Sequence, residues 1–208
     1  ANEDAVVKLG DRSFIEKDLL TVDSSFFKVF NYGLQTGDIR TALREPYSVV
    51  LTEEAAHKYF GDQDPIGQTF TMLLYDTTGQ GATYRVTGIL DGKPRPAHFN
   101  FNMLISFPTF FSYNPEYLTA DGWGDNSYYT YLLLKPGAEV GALQAKMPDF
   151  FNKYMLPIYQ KYNSSGREEY VLQPVKNIYL HSSRRYEIAP NGNAANLYIF
   201  GTVGLLIL

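Results

Sequence analysis

Over the first quarter of the chain, short apolar blocks alternate with turn residues. Val6-Val7-Lys8-Leu9 runs into Gly10-Asp11, and Ser13-Phe14-Ile15-Glu16 follows, a spacing that predicts a β-hairpin. Leu19 to Asp23 reads as another strand. Asp23 or Ser24 is placed to cap a short helix over Ser25 to Phe30, where Phe26, Phe27 and Phe30 recur at helical spacing. Ser48-Val49-Val50-Leu51 is a β-branched strand. After it, Thr52 is an N-cap candidate, Glu53 and Glu54 suit the positive end of the helix dipole, and Ala55, Ala56, Tyr59 and Phe60 form an apolar stripe. Gly61 supplies a left-handed C-cap, so a helix is predicted over 52–60.

Pro65-Ile66-Gly67-Gln68 predicts a turn, Thr69 to Tyr75 a strand, and Thr83 to Leu90 its hairpin partner across Asp76 to Ala82. Pro94 and Pro96 break regular structure, Phe99 to Phe107 is extended with Phe99, Phe101 and Met103 on one parity, and 108–127 reads as loop. Tyr128 to Leu134 is apolar on both parities, as in a strand covered on both faces. Lys135-Pro136-Gly137 turns into a long helix carrying Val140, Leu143, Met147, Phe150 or Phe151, and Tyr154; Pro148 inside it predicts a kink or a restart. Asn163 to Arg167 is a polar loop, Glu169 to Pro174 a last strand, and Ile178 to His181 extended. The order implies an α+β fold of two subdomains. Residues 46–125 form an inserted strand-rich unit, and 1–45 plus 126–188 pair into a discontinuous mixed α/β unit.

Composition narrows the chemistry. With 208 residues, 45% hydrophobic and 19% charged, the chain has material for a sizeable core. A net charge of -4 without clustered Lys and Arg argues against nucleic-acid binding. Cysteine is absent, which removes disulfides, thiolate metal sites and cysteine nucleophiles. There is no serine-hydrolase elbow and no phosphate-binding loop; Gly79-Gln80-Gly81 reads as a turn. His57, His98 and His181 stand at no metal-binding spacing, and Asp62-Gln63-Asp64 departs from a calcium loop at Pro65 and Ile66. Glu53-Glu54 and Glu168-Glu169 are sequence neighbours, which by itself defines no acid–base pair. No catalytic, cofactor-binding or metal-binding residue is therefore assigned, no cofactor is implied, and the expectation is a non-enzyme. Trp123, Tyr128, Tyr129 and Tyr131 are read first as core and edge residues, and second as an aromatic platform for a sugar or peptide.

Three blocks carry a family likeness. Asp23-Ser-Ser-Phe-Phe-Lys-Val-Phe followed by Gly37-Asp38 resembles the opening of MacB-like periplasmic core domains. The run Val49 to Phe70, with Phe60-Gly61 and Asp64-Pro65-Ile66-Gly67-Gln68, is similar to that family's most recognisable segment. Val86-Thr-Gly-Ile-Leu-Asp91, Pro96-Ala-His-Phe-Asn-Phe101, Trp123 and Tyr129 to Leu134 continue the likeness in order, over roughly 20–185. The resemblance implies the extracytoplasmic part of an ABC transporter permease of the MacB/FtsX type. In that family one subdomain, interrupted in sequence, is membrane-proximal, and the other is inserted in it. It also implies the following partners: a cytoplasmic ABC ATPase, a second permease copy as dimer, a periplasmic adaptor and the membrane itself. The location implied is the periplasmic side of the inner membrane. ATP-driven conformational change would be transmitted to export or envelope-remodelling work. A secreted or surface glycan- or peptide-binding module is the alternative.

The last twelve residues, Leu197 to Leu208, carry no charge. A bilayer span needs about 20 apolar residues, so the run matches the first part of a span. A buried terminal helix or strand is the other reading. The likeness implies the former, the start of a truncated transmembrane helix.

Overall fold

The computed structural model describes residues 5–74, 79–92, 98–118, 128–166, 168–182, 187, 188 and 192. Eight strands form one mixed sheet: β1 (Ala5–Leu9), β2 (Arg12–Glu16), β3 (Leu19–Val22), β4 (Leu34–Gly37), β5 (Ser48–Leu51), β6 (Thr69–Leu73), β7 (Ala82–Leu90) and β8 (Met103–Ser106). Their order is β2-β1-β6-β7-β5-β8-β3. The nine-residue β7 is the spine. Antiparallel β6 lies along its first half and β4 along its second, while parallel β5 covers the other side. β1 and β2 form the expected hairpin, with Leu9 opposite Arg12 across Gly10-Asp11.

Helix α1 (Phe26–Phe30) follows β3, and α2 (Glu53–Phe60) follows β5. α2 forms as its end chemistry dictates. The Thr52 hydroxyl accepts the Ala55 amide at 3.2 Å, and Gly61 takes φ 62°. At α1 the Asp23 carboxylate accepts from the Ser25 amide at 2.8 Å and from its hydroxyl at 2.6 Å. Removing the α2 cap with Thr52→Ala is expected to cost about 1 kcal/mol. At this chain length that lowers the melting temperature by about 2–4 °C, read by calorimetry.

The central strands are buried on both faces. Val49 and Leu51 of β5, with Met103 and Ile105 of β8, face α2 and join Val7, Tyr59, Phe70, Met72 and Tyr84 in one core layer. Val50 and Leu104, one residue out of phase, face the opposite layer, where Phe26, Phe27, Tyr32, Leu43, Phe99 and Phe101 pack. Two-sided burial explains why these strands read as continuous apolar runs rather than as alternation.

The C-terminal half departs from expectation. The segment 108–118, read as loop, holds α3 (Pro108–Tyr113) and a 3-10 turn, Pro115–Leu118. Pro108 sits in the first helical turn, where the missing amide costs nothing. The run 128–134 is not a strand; Leu132 and Leu133 are 54% and 57% exposed. An all-apolar run carries no period and cannot by itself say what covers it. The predicted long helix is present in pieces: α4 (Val140–Gln144), α5 (Met147–Phe150), a π turn at Phe151–Met155, and α6 (Leu156–Lys161). Its restart at Met147-Pro148 is the break expected from the proline.

Glu169 to Pro174 is also no strand. Instead the Gln144 side-chain amide donates to the Tyr170 carbonyl and accepts from the Leu172 amide, both at 2.7 Å, taking the place of a neighbouring strand. Ile178–His181 is a helical turn, α7, rather than extended. In the strand pairing that the described residues show, β1, β3 and β4 pair with β6, β8 and β7, so residues before 45 share a sheet with those of 48–106. Among the described residues 126–188 adds no strand to it. Leu197 to Leu208 lies outside the described residues. Among the described residues no helix is long and apolar enough to cross a membrane.

Candidate functional site

Among the described residues, many aromatic rings surround a cleft of about 690 Å3 at the β3 end of the sheet. Local sequence places its walls. Phe26 and Phe30 lie one helical turn apart on α1, with ring centroids 5.0 Å apart. Phe26 also stacks on Tyr32 at 5.6 Å and meets Phe99 and Phe101 at 6.0 and 5.7 Å. From the other side come Phe107, at the end of β8, and Phe110 and Phe111 of α3. Phe107 and Phe110 each meet the Tyr128 ring edge-on, at 5.5 and 5.9 Å. Tyr131 closes the assembly, 4.9 Å from Phe30.

Tyr131 is held by a polar contact as well. Its hydroxyl lies 2.6 Å from His98 Nε2. Burial lowers the affinity of His98 for a proton below the ordinary histidine range, and the nearby Glu187 carboxylate partly opposes this. The Tyr131 phenol is pushed upward by burial, then by Glu187 and Tyr129. Neutral imidazole is thus the folded-state form. Folded protein binds this proton more weakly than the unfolded chain does. Its contribution to stability is therefore complete above pH 6.5, the ordinary histidine value. It declines as pH falls through the interval down to the lowered folded value, and is constant below it. Denaturant melts between pH 7.5 and 5 are expected to show that slope, and His98→Gln to flatten it.

Two other polar groups are built elsewhere. Lys58 Nζ pairs with Glu16, whose side chain is almost fully buried, and lies over the rings of Phe14 and Tyr59 at 5.4 and 5.6 Å. Arg12 donates to the Tyr59 carbonyl at 2.7 Å. The Tyr59 phenol is pushed upward by burial and then by Glu16. On the C-terminal side, Glu168 accepts from the Tyr159 and Tyr170 hydroxyls at 2.5 and 2.7 Å. Both groups tie elements together: β2 to α2, and α6 to the 168–172 stretch.

The remaining sequence candidates have structural places. His57 lies in the last turn of α2, 3.6 Å from the exposed Asp62 carboxylate. The Asp64 carboxylate accepts the Ile66 amide at 3.0 Å and shapes the turn whose Gly67 has φ 79°. Gly79 and Gly81 both take positive φ between β6 and β7. Among the described residues no three His, Asp or Glu side chains converge as metal ligands. Of the aromatic platform, Tyr128, Tyr129 and Tyr131 line the cleft, and Trp123 lies outside the described residues. Phe107, read as the end of an extended segment, lines it too, as do Phe110, Phe111 and Tyr117, which the loop reading of 108–127 missed. The signal was present in Phe107-Pro108 followed by a paired Phe110-Phe111.

The chain matches the family model of the MacB-like periplasmic core domain over residues 4–150. No curated protein matches the sequence. Among solved structures, it is similar to a domain described as belonging to a permease protein of Porphyromonas gingivalis. The identity is 16%, the TM-score 0.51, and 74% of this chain and 67% of that one are covered. The periplasmic region of MacB from Actinobacillus actinomycetemcomitans gives 14%, 0.48, 79% and 74%. The extracellular domain of the noncanonic ABC-type transporter YknZ from Gram-positive bacteria gives 14%, 0.46, 80% and 74%.

Proposed function

The chain belongs to the MacB-like periplasmic core domain family, and on that premise we propose that it is the extracytoplasmic domain of an ABC transporter permease. In this reading it transmits conformational change, driven by ATP hydrolysis elsewhere in the transporter, to export or to remodelling of the envelope. The family match across the whole sheet-bearing part of the chain is the observation that carries the reading. The sheet suits the task. Its eight strands unite segments spread from Ala5 to Ser106, so a displacement at one edge is carried as a rigid-body movement. The aromatic contacts of Tyr128 with Phe107 and of Tyr131 with Phe30 fasten to that body the segment that leads into the helical stretch beyond residue 140.

The domain supplies no catalytic group of its own in this account. Its partners are a cytoplasmic ABC ATPase, a second permease copy and a periplasmic adaptor. It sits on the periplasmic side of the inner membrane. Affinity purification of the complete native protein from detergent-solubilised membranes tests the reading. An ABC ATPase should co-purify in stoichiometric amount. Recovery of the protein without any ATPase, from the soluble secreted fraction, would overturn it. The alternative of a peptide- or glycan-binding surface module is favoured by one observation, the aromatic cleft.

A further inference from the structure

Strand β2 ends the sheet order at the side away from the aromatic cleft, and among the described residues it pairs with β1 alone. The hairpin geometry decides which of its main-chain groups face outward. The two-residue loop, with Gly10 at φ 58°, makes Leu9 and Arg12 the closing hydrogen-bonded pair. Bonded pairs alternate along an antiparallel ladder. Phe14 and Glu16 therefore also bond to β1, while Ser13 and Ile15 turn their amides and carbonyls to the outer edge. Among the described residues nothing bonds to them there. β2 also lacks the usual protections of an edge: its register with β1 is unbroken by a bulge, and it holds no proline and no lysine. Ile15 stands 70% exposed.

We propose that β2 pairs with the β2 of a second copy of this chain, antiparallel about a two-fold axis at Phe14, so that the two sheets join into one. The strand, Arg12-Ser13-Phe14-Ile15-Glu16, is complementary to itself in that register. Ser13 meets the partner's Ile15 as a hydrogen-bonded pair exchanging both main-chain bonds, and Phe14 meets its own copy at the axis. Arg12 falls opposite the partner's Glu16 at both ends, with Cβ atoms about 4.5–5.5 Å apart, where opposite charges attract. Within one chain these charges are held on the α2 side: Arg12 donates to the Tyr59 carbonyl, and Lys58 pairs with Glu16. A guanidinium has five donors, so Arg12 can serve both partners. Moving the axis to Ser13 or to Ile15 sets Phe14 against a charged residue and breaks the Arg12–Glu16 pairs. Such self-complementarity selects a second copy over an unrelated strand, and the contact is isologous. The Ile15 side chain points away from the face on which Phe14 packs, so it stays at the surface of the joined sheet. One short strand per copy contributes less than the about 800 Å2 a side of a stable interface. The contact is therefore weak in the free chain and closes where two copies are held side by side. In the cell this pairing rests on the permease-dimer reading and deepens it, naming the surface at which the two domains meet.

The test uses the 208-residue chain, which contains no cysteine. Sedimentation equilibrium at up to about 1 mM, the range of weak contacts, is expected to show monomer and dimer in exchange. Ile15→Pro removes an outward amide from each copy and no bond to β1. It should weaken dimerisation at least about tenfold, the factor that follows from about 1.4 kcal/mol of lost main-chain hydrogen bonding, while the melting temperature changes little. If that variant unfolds, cross-linking decides. Ser13→Cys chains mixed with Ile15→Cys chains should form a disulfide dimer on mild oxidation, since bonded pairs across a ladder have Cα atoms about 5.5 Å apart. Either variant alone should cross-link at least about tenfold less, because equal positions lie about 8 Å apart in this register, beyond disulfide reach. A monomer over the whole concentration range would overturn the proposal. So would undiminished dimerisation of folded Ile15→Pro, or equal cross-linking of the mixed and single variants. None of these results alters the co-purification test of the transporter reading, so the two fail separately.

Discussion

Phe26→Ala is expected to be the most damaging single truncation in this domain, at about 3–5 kcal/mol, the range for removing a buried phenylalanine. The ring is 5% exposed and meets five other aromatic rings, those of Phe27, Phe30, Tyr32, Phe99 and Phe101, at 5.0–6.0 Å. These neighbours come from α1, from the turn after it and from the approach to β8. The cavity left behind has no single side chain that can collapse into it. At about 2–4 °C per kcal/mol for a chain of this size, the melting temperature should fall by roughly 6–20 °C. The cleft should lose its definition as well, so ring-current-shifted resonances of Phe30 and Tyr131 are expected to move toward random-coil values. Phe30→Ala, at the half-exposed rim, should cost much less. Equal losses at the two sites would contradict the packing described.

The second large effect is expected at Gly37. This residue ends β4 at φ 106°, opposite Gly88 on β7. A Cβ there would lie 2.5 Å from the Thr87 carbonyl oxygen and 2.9 Å from the Gly88 Cα. Both obstacles are backbone and belong to the spine of the sheet, so neither swings aside as a side chain would. Gly37→Ala therefore combines an unfavourable backbone conformation, about 1–2 kcal/mol, with overpacking, about 1–3 kcal/mol. A total of about 2–5 kcal/mol should appear in urea denaturation, with the β4–β7 amides exchanging fastest. Gly61→Ala makes the contrast: it has a similar positive φ of 62° and nothing within 4 Å of the added methyl. It is expected to cost only the backbone part.

The elements that were legible in the sequence are those whose ends carry chemistry. Thr52, Glu53-Glu54 and Gly61 mark both termini of α2, and Gly10-Asp11 marks the first hairpin. The sheet partners of β3 and β4 were not legible. Strand pairing is set by three-dimensional packing of two buried faces, and Val49-Val50-Leu51 or Met103-Leu104-Ile105 offers the same apolar pattern to either face. The pairing of strands before residue 45 with those after it was not readable for that reason. The run Tyr128–Leu134 failed for a related one, since uniform apolarity fits a buried strand and an uncovered segment equally well. Of the cleft, Tyr128, Tyr129 and Tyr131 were singled out as a platform. The Phe107–Phe111 wall was hidden by reading prolines as breakers, although Pro108 begins a helix.

Two tyrosines of that platform also carry the coupling proposed between the sheet and the helical stretch. The direct measurement places one spin label at Ile15, exposed on edge strand β2, and another at Tyr179, exposed on α7. It is made in the complete permease with its ATPase, in lipid nanodiscs. The account predicts that the distance distribution between the labels shifts when ATP is trapped in the ATPase, relative to the nucleotide-free state, and that Tyr131→Ala abolishes the shift while ATP hydrolysis persists. Identical distributions in the two nucleotide states would contradict it.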